Sequence, residues 1–194
     1  MSMLKLFFCW TILLSRLAAG AVTLQAAKGK VSFLAIGRPS AIKVNGKGPG
    51  PTGELKIDKT KNGLTLSGQT KVDLSALETG IGLRDKHMKE TYLETEKYKE
   101  AVLTFNSAPL QADTILSGGE TEIPATLELH GKSNPLRVKI TLSKKERQLL
   151  SQSAFRIKLS EHGIEIPKFS GITVADEVEI TALTEMSAPE GLWN

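Results

Sequence analysis

The sequence predicts a mainly β, antiparallel domain of about eight strands with one or two short helices, and three observations carry that expectation. From Val22 onward apolar and polar residues alternate with period two, the spacing at which successive side chains point to opposite faces of a strand. Gly, Asn, Asp and Pro punctuate these segments, as turn chemistry requires. One stretch, 75–99, is instead rich in Glu and Lys and lacks β-branched alternation.

Lys5 supplies a positive start, residues 6–14 an apolar run, and Ala19-Gly20-Ala21 a small-residue cleavage site, the three parts of a secretory signal peptide. The expected cut follows Ala21. The apolar run is shorter than the roughly 20 residues that span a bilayer; an uncleaved anchor is the other reading. Residues 22–194 then form a single domain, long enough for one sizeable core. Cys9, the only cysteine, leaves with the signal, so no disulfide or cysteine metal site is expected in the mature chain. Without Lys5 and Arg16 the formal charge falls from +4 to about +2. Acidic and basic residues interleave along the chain and aromatics are few, which speaks against a nucleic-acid surface.

Candidate strands are 30–36, 41–45, 53–59, 63–74, 101–108, 122–129, 136–142, 153–159 and 174–183. That number suits a small closed barrel or a sandwich. Two hairpins are signalled. One turns at 59–63, where Asn62-Gly63 offers the positive φ of a tight turn. The other turns at 131–135, where Pro135, which has no N–H to give a ladder, is assigned to the turn. Residues 46–53 (GKGPGPTG) read as a flexible or bulged loop. Within the charged stretch, Arg84 to Leu93 is expected to be a short helix, with Met88, Tyr92 and Leu93 forming one apolar stripe. Residues 143–151 read as a polar loop or a second short helix.

Several motifs are more specific. The run 74–80 (LSALETG), Arg84-Asp85-Lys86-His87-Met88 and Tyr92-Leu93-Glu94-Thr95-Glu96-Lys97-Tyr98 resemble the central signature of the YceI-like family. Leu103-Thr104-Phe105, Leu127-Glu128-Leu129-His130-Gly131 with Pro135 close behind, and 163–167 followed by 176–180 agree with it in the same order. The resemblance implies an extended, lipocalin-like antiparallel barrel and a periplasmic location. It also implies a long-chain isoprenoid, either a polyprenyl chain or an isoprenoid quinone, in the barrel interior, and no other cofactor.

The residues offer a compatible lining. Alternation supplies Leu64, Leu66, Val72, Leu74, Leu103, Phe105, Leu127, Leu129, Val138, Ile140, Phe155, Ile157, Val178 and Ile180 as inward apolar positions. A barrel of this size either fills with its own side chains or holds one slim ligand. Beside the expected mouth, Arg84 and His87 could meet a head group, Arg offering a bidentate fork; Arg84 could equally pair with Asp85 or a backbone carbonyl. A transient contact with a membrane is compatible with lipid handling, and oligomeric state is not readable.

Two other function classes share these residues. A β-sandwich interaction module would use the same apolar faces as plain core, with 46–53 or the tail 189–194 touching a partner. A hydrolytic or metal-dependent enzyme has less support. His87, His130 and His162 do not fall in a metal spacing, and no Gly-x-Ser-x-Gly elbow occurs. Expressed with its leader in an export-competent bacterium, the protein is expected to have an intact mass lacking residues 1–21; a mass that includes them would refute the cleavage reading.

Overall fold

The structure is a computed structural model that describes residues 21–38, 42–61, 63–111, 118–145, 148–169 and 171–187, with only the backbone of 27, 144 and 169. The expected signal segment (apart from Ala21), the tail 189–194 and Asn62 of the first predicted turn lie outside the described residues. The strands are β1 Val22–Arg38, β2 Ile42–Pro49, β3 Thr52–Thr60, β4 Gly63–Asp73, β5 Glu100–Leu110, β6 Glu120–Leu129, β7 Lys132–Lys145, β8 Gln148–Lys158, β9 Lys168–Phe169 and β10 Ile172–Ser187. They form an eight-strand closed antiparallel barrel. Round the ring, β1 pairs β3, then β4, β5, β6, β7, β8 and β10 follow, and β10 returns to β1. The short β9 is a stub folded back on β10.

β2 adds no stave of its own. Its register with β1 (Lys30 with Pro49, Gly37 with Ile42) continues that of β3 (Val22 with Ile57, Ala26 with Gly53). The two are therefore one long strand interrupted at Gly50-Pro51. This corrects the reading of 46–53 as a loop: most of it is ladder, and its glycines answer to packing. The ring of Phe33 lies across Gly46, with its Cζ only 1.9 Å from where a Cβ would stand. Leu77 occupies the corresponding place over Gly48, at 2.7 Å. At the interruption Gly50 donates to the Gly29 carbonyl at 3.1 Å, and a Cβ on Gly50 would stand 2.3 Å from Gly29 backbone.

Two further expectations are corrected. The β6–β7 turn consists of His130-Gly131, both at positive φ (53° and 71°), the pairing that a two-residue hairpin demands. Pro135 lies inside β7 opposite Thr126. Two-residue closure makes that a non-hydrogen-bonded pair, and β7 meets β8 only from Lys139 on, so the missing N–H deprives no ladder. Of residues 143–151, 143–145 end β7 and 148–151 begin β8, so they are strand rather than loop or helix; Leu149 and Ser151 point inward and are buried.

The interior divides in two. Leu24, Ile57, Leu66, Phe105, Ile123, Val138 and Leu149 anchor one buried cluster; Val31, Leu74, Leu127, Leu129, Ile157 and Val178 anchor the other. At the second end the chain leaves β4 through a 3₁₀ turn at Leu74–Ala76, capped by Asp73 accepting from Ser75. It then touches β2 again at Glu78 (mutual bonds with Lys47, 2.8 Å each) and forms helix α1, Gly82–His87, and a wide turn, Met88–Tyr92. The helix thus starts two residues ahead of the expected Arg84, and Met88, Tyr92 and Leu93 pack onto the second cluster.

Gly50→Ala is expected to lower stability by about 2 kcal/mol or more because backbone must move, whereas Gly46→Ala is expected to be recovered by adding Phe33→Leu; urea midpoints compare them, and equal, unrescued losses would refute the packing account.

Candidate functional site

A cavity of about 410 Å³ runs from the helical end into the barrel, with walls that are almost wholly apolar. Twelve of the fourteen inward positions expected from sequence border it: Leu66, Val72, Leu74, Leu103, Phe105, Leu127, Leu129, Ile140, Phe155, Ile157, Val178 and Ile180. The other two do not. Val138 is fully buried in the packed cluster, and Leu64 packs against the same cluster at its edge. Their inward direction is as expected; their depth, at the filled end, is not.

The structure adds wall residues that the sequence reading left out. Leu24, Val31, Phe33 and Ala35 of β1 and Leu55 and Ile57 of β3 all border the cavity. Within β1 the inward set changes parity, Leu24 below and Val31, Phe33 and Ala35 above. The ladder with β10 skips one residue between Ala26 and Lys28, a β-bulge that exchanges the two faces of the strand. β5 does the same: Phe105 and Ala108 are both buried, the register shifts opposite Leu66–Gly68, and Ser107 stands at φ 49°.

The mouth is built from the helical segment and the approach to β10. Ile81 and Leu83 are 54% and 57% exposed and still border the cavity, as does Ile42. Arg84 and His87 are there, joined by Lys168, which sequence reasoning missed. Arg84 is held from below. Its Nε donates to the Thr79 hydroxyl at 2.7 Å and its Nη2 to the Thr79 carbonyl at 3.0 Å. The Thr79 hydroxyl in turn donates to Asp85, which also accepts the Thr79 N–H at 2.7 Å. The backbone-carbonyl role that the sequence left open for Arg84 is therefore realised, and part of its fork is engaged.

Partial burial pushes the Asp85 carboxyl up, but the two Thr79 bonds and the nearby Lys89 and Arg84 charges outweigh it and hold the group below the usual carboxylate range. Asp176 is likewise held low by the Ser160 hydroxyl and N–H, so it fixes the turn at Ser160–His162. Across the mouth the Lys168 N–H donates to the Tyr92 hydroxyl at 3.2 Å.

The histidines separate in role. His130 Nε2 meets Glu94 at 2.7 Å and its Nδ1 faces the His162 carbonyl at 3.3 Å. The Tyr98 ring stacks obliquely on it, centroids 4.3 Å apart. His162 is buried, with Nδ1 near the carbonyls of Leu129 and Lys132. His130 ties the end of the helical segment, at Glu94, to the β6–β7 turn, and His162 ties the Ser160–His162 turn to the same place. Among the described residues no group of three His, Cys, Asp or Glu could hold a metal ion.

A closed antiparallel barrel around an apolar cavity with one polar-rimmed mouth belongs to the class of barrels that enclose a small apolar ligand. The family model of the YceI-like domain matches residues 23–186, and the chain belongs to that family. Solved structures share the fold. BcnA of Burkholderia cenocepacia is 16% identical, covering 81% of this chain and 95% of its own at a TM-score of 0.65. A polyisoprenoid binding domain from Saccharophagus degradans, implicated in plant cell wall breakdown, is 19% identical, covering 86% and 98% at 0.63. The YceI protein of Campylobacter jejuni is 12% identical, covering 76% and 85% at 0.58. Among curated proteins none matches the chain significantly.

Since the folded-state Asp85 is the more acidic form, its hold on Thr79 is present at neutral pH and is lost as pH falls through its lowered value. Amide-exchange protection in 82–93 is therefore expected to be constant from pH 7 to about 5 and to drop below about pH 4. Asp85→Asn is expected to lose about five-fold protection already at pH 7; unchanged protection in the variant would refute the role.

Proposed function

We propose that this protein is an exported, periplasmic carrier that holds a long-chain isoprenoid, a polyprenyl chain or an isoprenoid quinone, inside its barrel, and that it binds rather than catalyses. The observation that carries the reading is the apolar cavity of about 410 Å³ open at one end, a volume within the range of about 300–1,000 Å³ that encloses small ligands. Its walls are chiefly Leu, Ile, Val and Ala, which suit a methyl-branched chain. At about 0.3 kcal/mol per heavy atom, a forty-carbon chain would gain roughly 12 kcal/mol, near nanomolar affinity. Membership of the family and the polyisoprenoid-binding description of the Saccharophagus degradans domain point the same way. The signal segment at 1–21 supports export. At the mouth, exposed Ile81 and Leu83 beside Lys86 and Lys89 suit a passing contact with an anionic bilayer during loading.

Native mass spectrometry of protein purified from its source envelope, followed by solvent extraction, is expected to show a bound species with isoprenoid fragmentation. Leu103→Trp, which fills the middle of the cavity, is expected to fold and to carry none. Equal loading of both proteins would refute the cavity as the binding site, and a ligand-free native protein would return the interaction-module reading.

A further inference from the structure

One wall of the cavity is not hydrocarbon. Ser151 and Ser153 of β8 and Thr184 of β10 all border it. Ser151 lies directly across the ladder from Thr184, and Ser153 is the next inward residue of β8, opposite Ala182. Directly opposed strand residues hold their Cβ atoms about 5 Å apart and diagonal ones about 7–8 Å, so Ser151 and Thr184 flank a space the size of one functional group and Ser153 stands diagonally beside it. On the far side of Thr184 the ladder brings Gly29, which adds no side chain to crowd it. The patch sits where the two interior clusters meet, with Leu149 and Met186 of the first on one side and Ala182 of the second on the other.

Ser151 is only 9% exposed, and none of these three side-chain hydroxyls has a hydrogen-bond partner among the described residues. Alanine or valine would fill the same positions without a buried polar group to satisfy, so hydroxyls here are costly unless something meets them. The charged residues that border the cavity, Arg84, His87 and Lys168, belong to the mouth. A phosphate or carboxylate at the depth of Ser151 would be buried without a counter-charge. A carbonyl or hydroxyl would not, because Ser and Thr each offer one donor and two acceptor sites.

We propose that Ser151, Ser153 and Thr184 form a deep subsite for a neutral hydrogen-bonding group of the ligand, a ketone-type carbonyl above all, so that the ligand enters polar end first and its branched chain runs back to the mouth. This rests on the carrier reading and sharpens it. It favours a carbonyl-bearing isoprenoid, such as a quinone, over a phosphorylated polyprenyl chain, whose anionic end belongs at the rim.

The test compares two nearly isosteric branched chains, the ketone phytone and the hydrocarbon pristane, in displacing a neutral fluorescent reporter from delipidated mature protein. The native protein is expected to bind phytone about ten-fold tighter than pristane, and the ketone stretch of bound phytone is expected to shift to lower frequency. The Ser151→Ala, Ser153→Ala, Thr184→Val triple variant is expected to lose both the preference and the shift while binding pristane at least as well, which also shows that its cavity is intact. No preference in the native protein, or a preference that survives in the triple variant, would overturn the subsite. Displacement by neither compound would overturn the carrier reading with it, whereas equal binding of both would leave the carrier standing and remove only the subsite.

Discussion

Everything in this barrel depends on β1 having partners along both edges. One edge runs with β10 from Gln25 to Arg38; the other is shared, β3 taking Val22–Ala26 and β2 taking Lys30–Gly37. A closed sheet has no free edge to satisfy, so closure through β1 removes the main liability of an all-β chain. It also forces a geometric problem. Strands that wrap a barrel must coil, and β1 does so by exchanging its inward and outward faces between Ala26 and Val31. The long partner strand exchanges its faces at the same height, inward at Gly46 and Gly48 and then at Leu55 and Ile57. Glycine and proline at 50 and 51 let the two backbones cross there at close range.

That crossing separates two ends with different physics. Below it, Leu24, Ile57, Ile123, Val138 and Leu149 pack as one buried cluster, each at most 3% exposed, and Leu24, Ile57 and Leu149 among them also border the cavity. Above it, Ala35 and Ala182 leave room beside the larger residues of the second cluster and border the cavity, while Phe33 and Leu77 lie over Gly46 and Gly48. Packed interiors approach crystalline density. A hollow section is therefore tolerable only when a well-filled section beside it supplies stability. The filled end supports the hollow one.

The alternation that marks strands was legible from residue types alone, because period two is a property of the side chains and needs no partner. Where it failed, a partner decided. Pro135 reads as a turn residue until it is known that β7 has no β8 neighbour at that height. Gly46 and Gly48 read as loop until Phe33 and Leu77 are seen lying on them. The parity change in β1 is set by one extra residue against β10, which no count along β1 reveals. Val138 and Ile140 are indistinguishable in sequence, and only their depth makes one core and the other wall. Ser151 and Thr184 lie outside the strands expected at 153–159 and 174–183, and their inward direction follows only once β8 and β10 are seen to run on past those bounds.

The mouth is assembled by a different kind of force from the barrel below it. Neither α1 nor the turn after it contains a fully buried residue; the segment rests on the second cluster only through half-buried Met88, Tyr92 and Leu93. Polar contacts add to that hold: the Arg84, Thr79 and Asp85 chain at one side, His130 with Glu94 at the other, and Tyr92 with Lys168 across the opening. Partly exposed hydrogen bonds of this kind contribute about 1 kcal/mol each, far less than the ladders of an unbroken ring. Segments of low local stability open well before the whole structure does. The same sequence thus yields a wall of closed ladders and a cover held by fewer, partly exposed contacts.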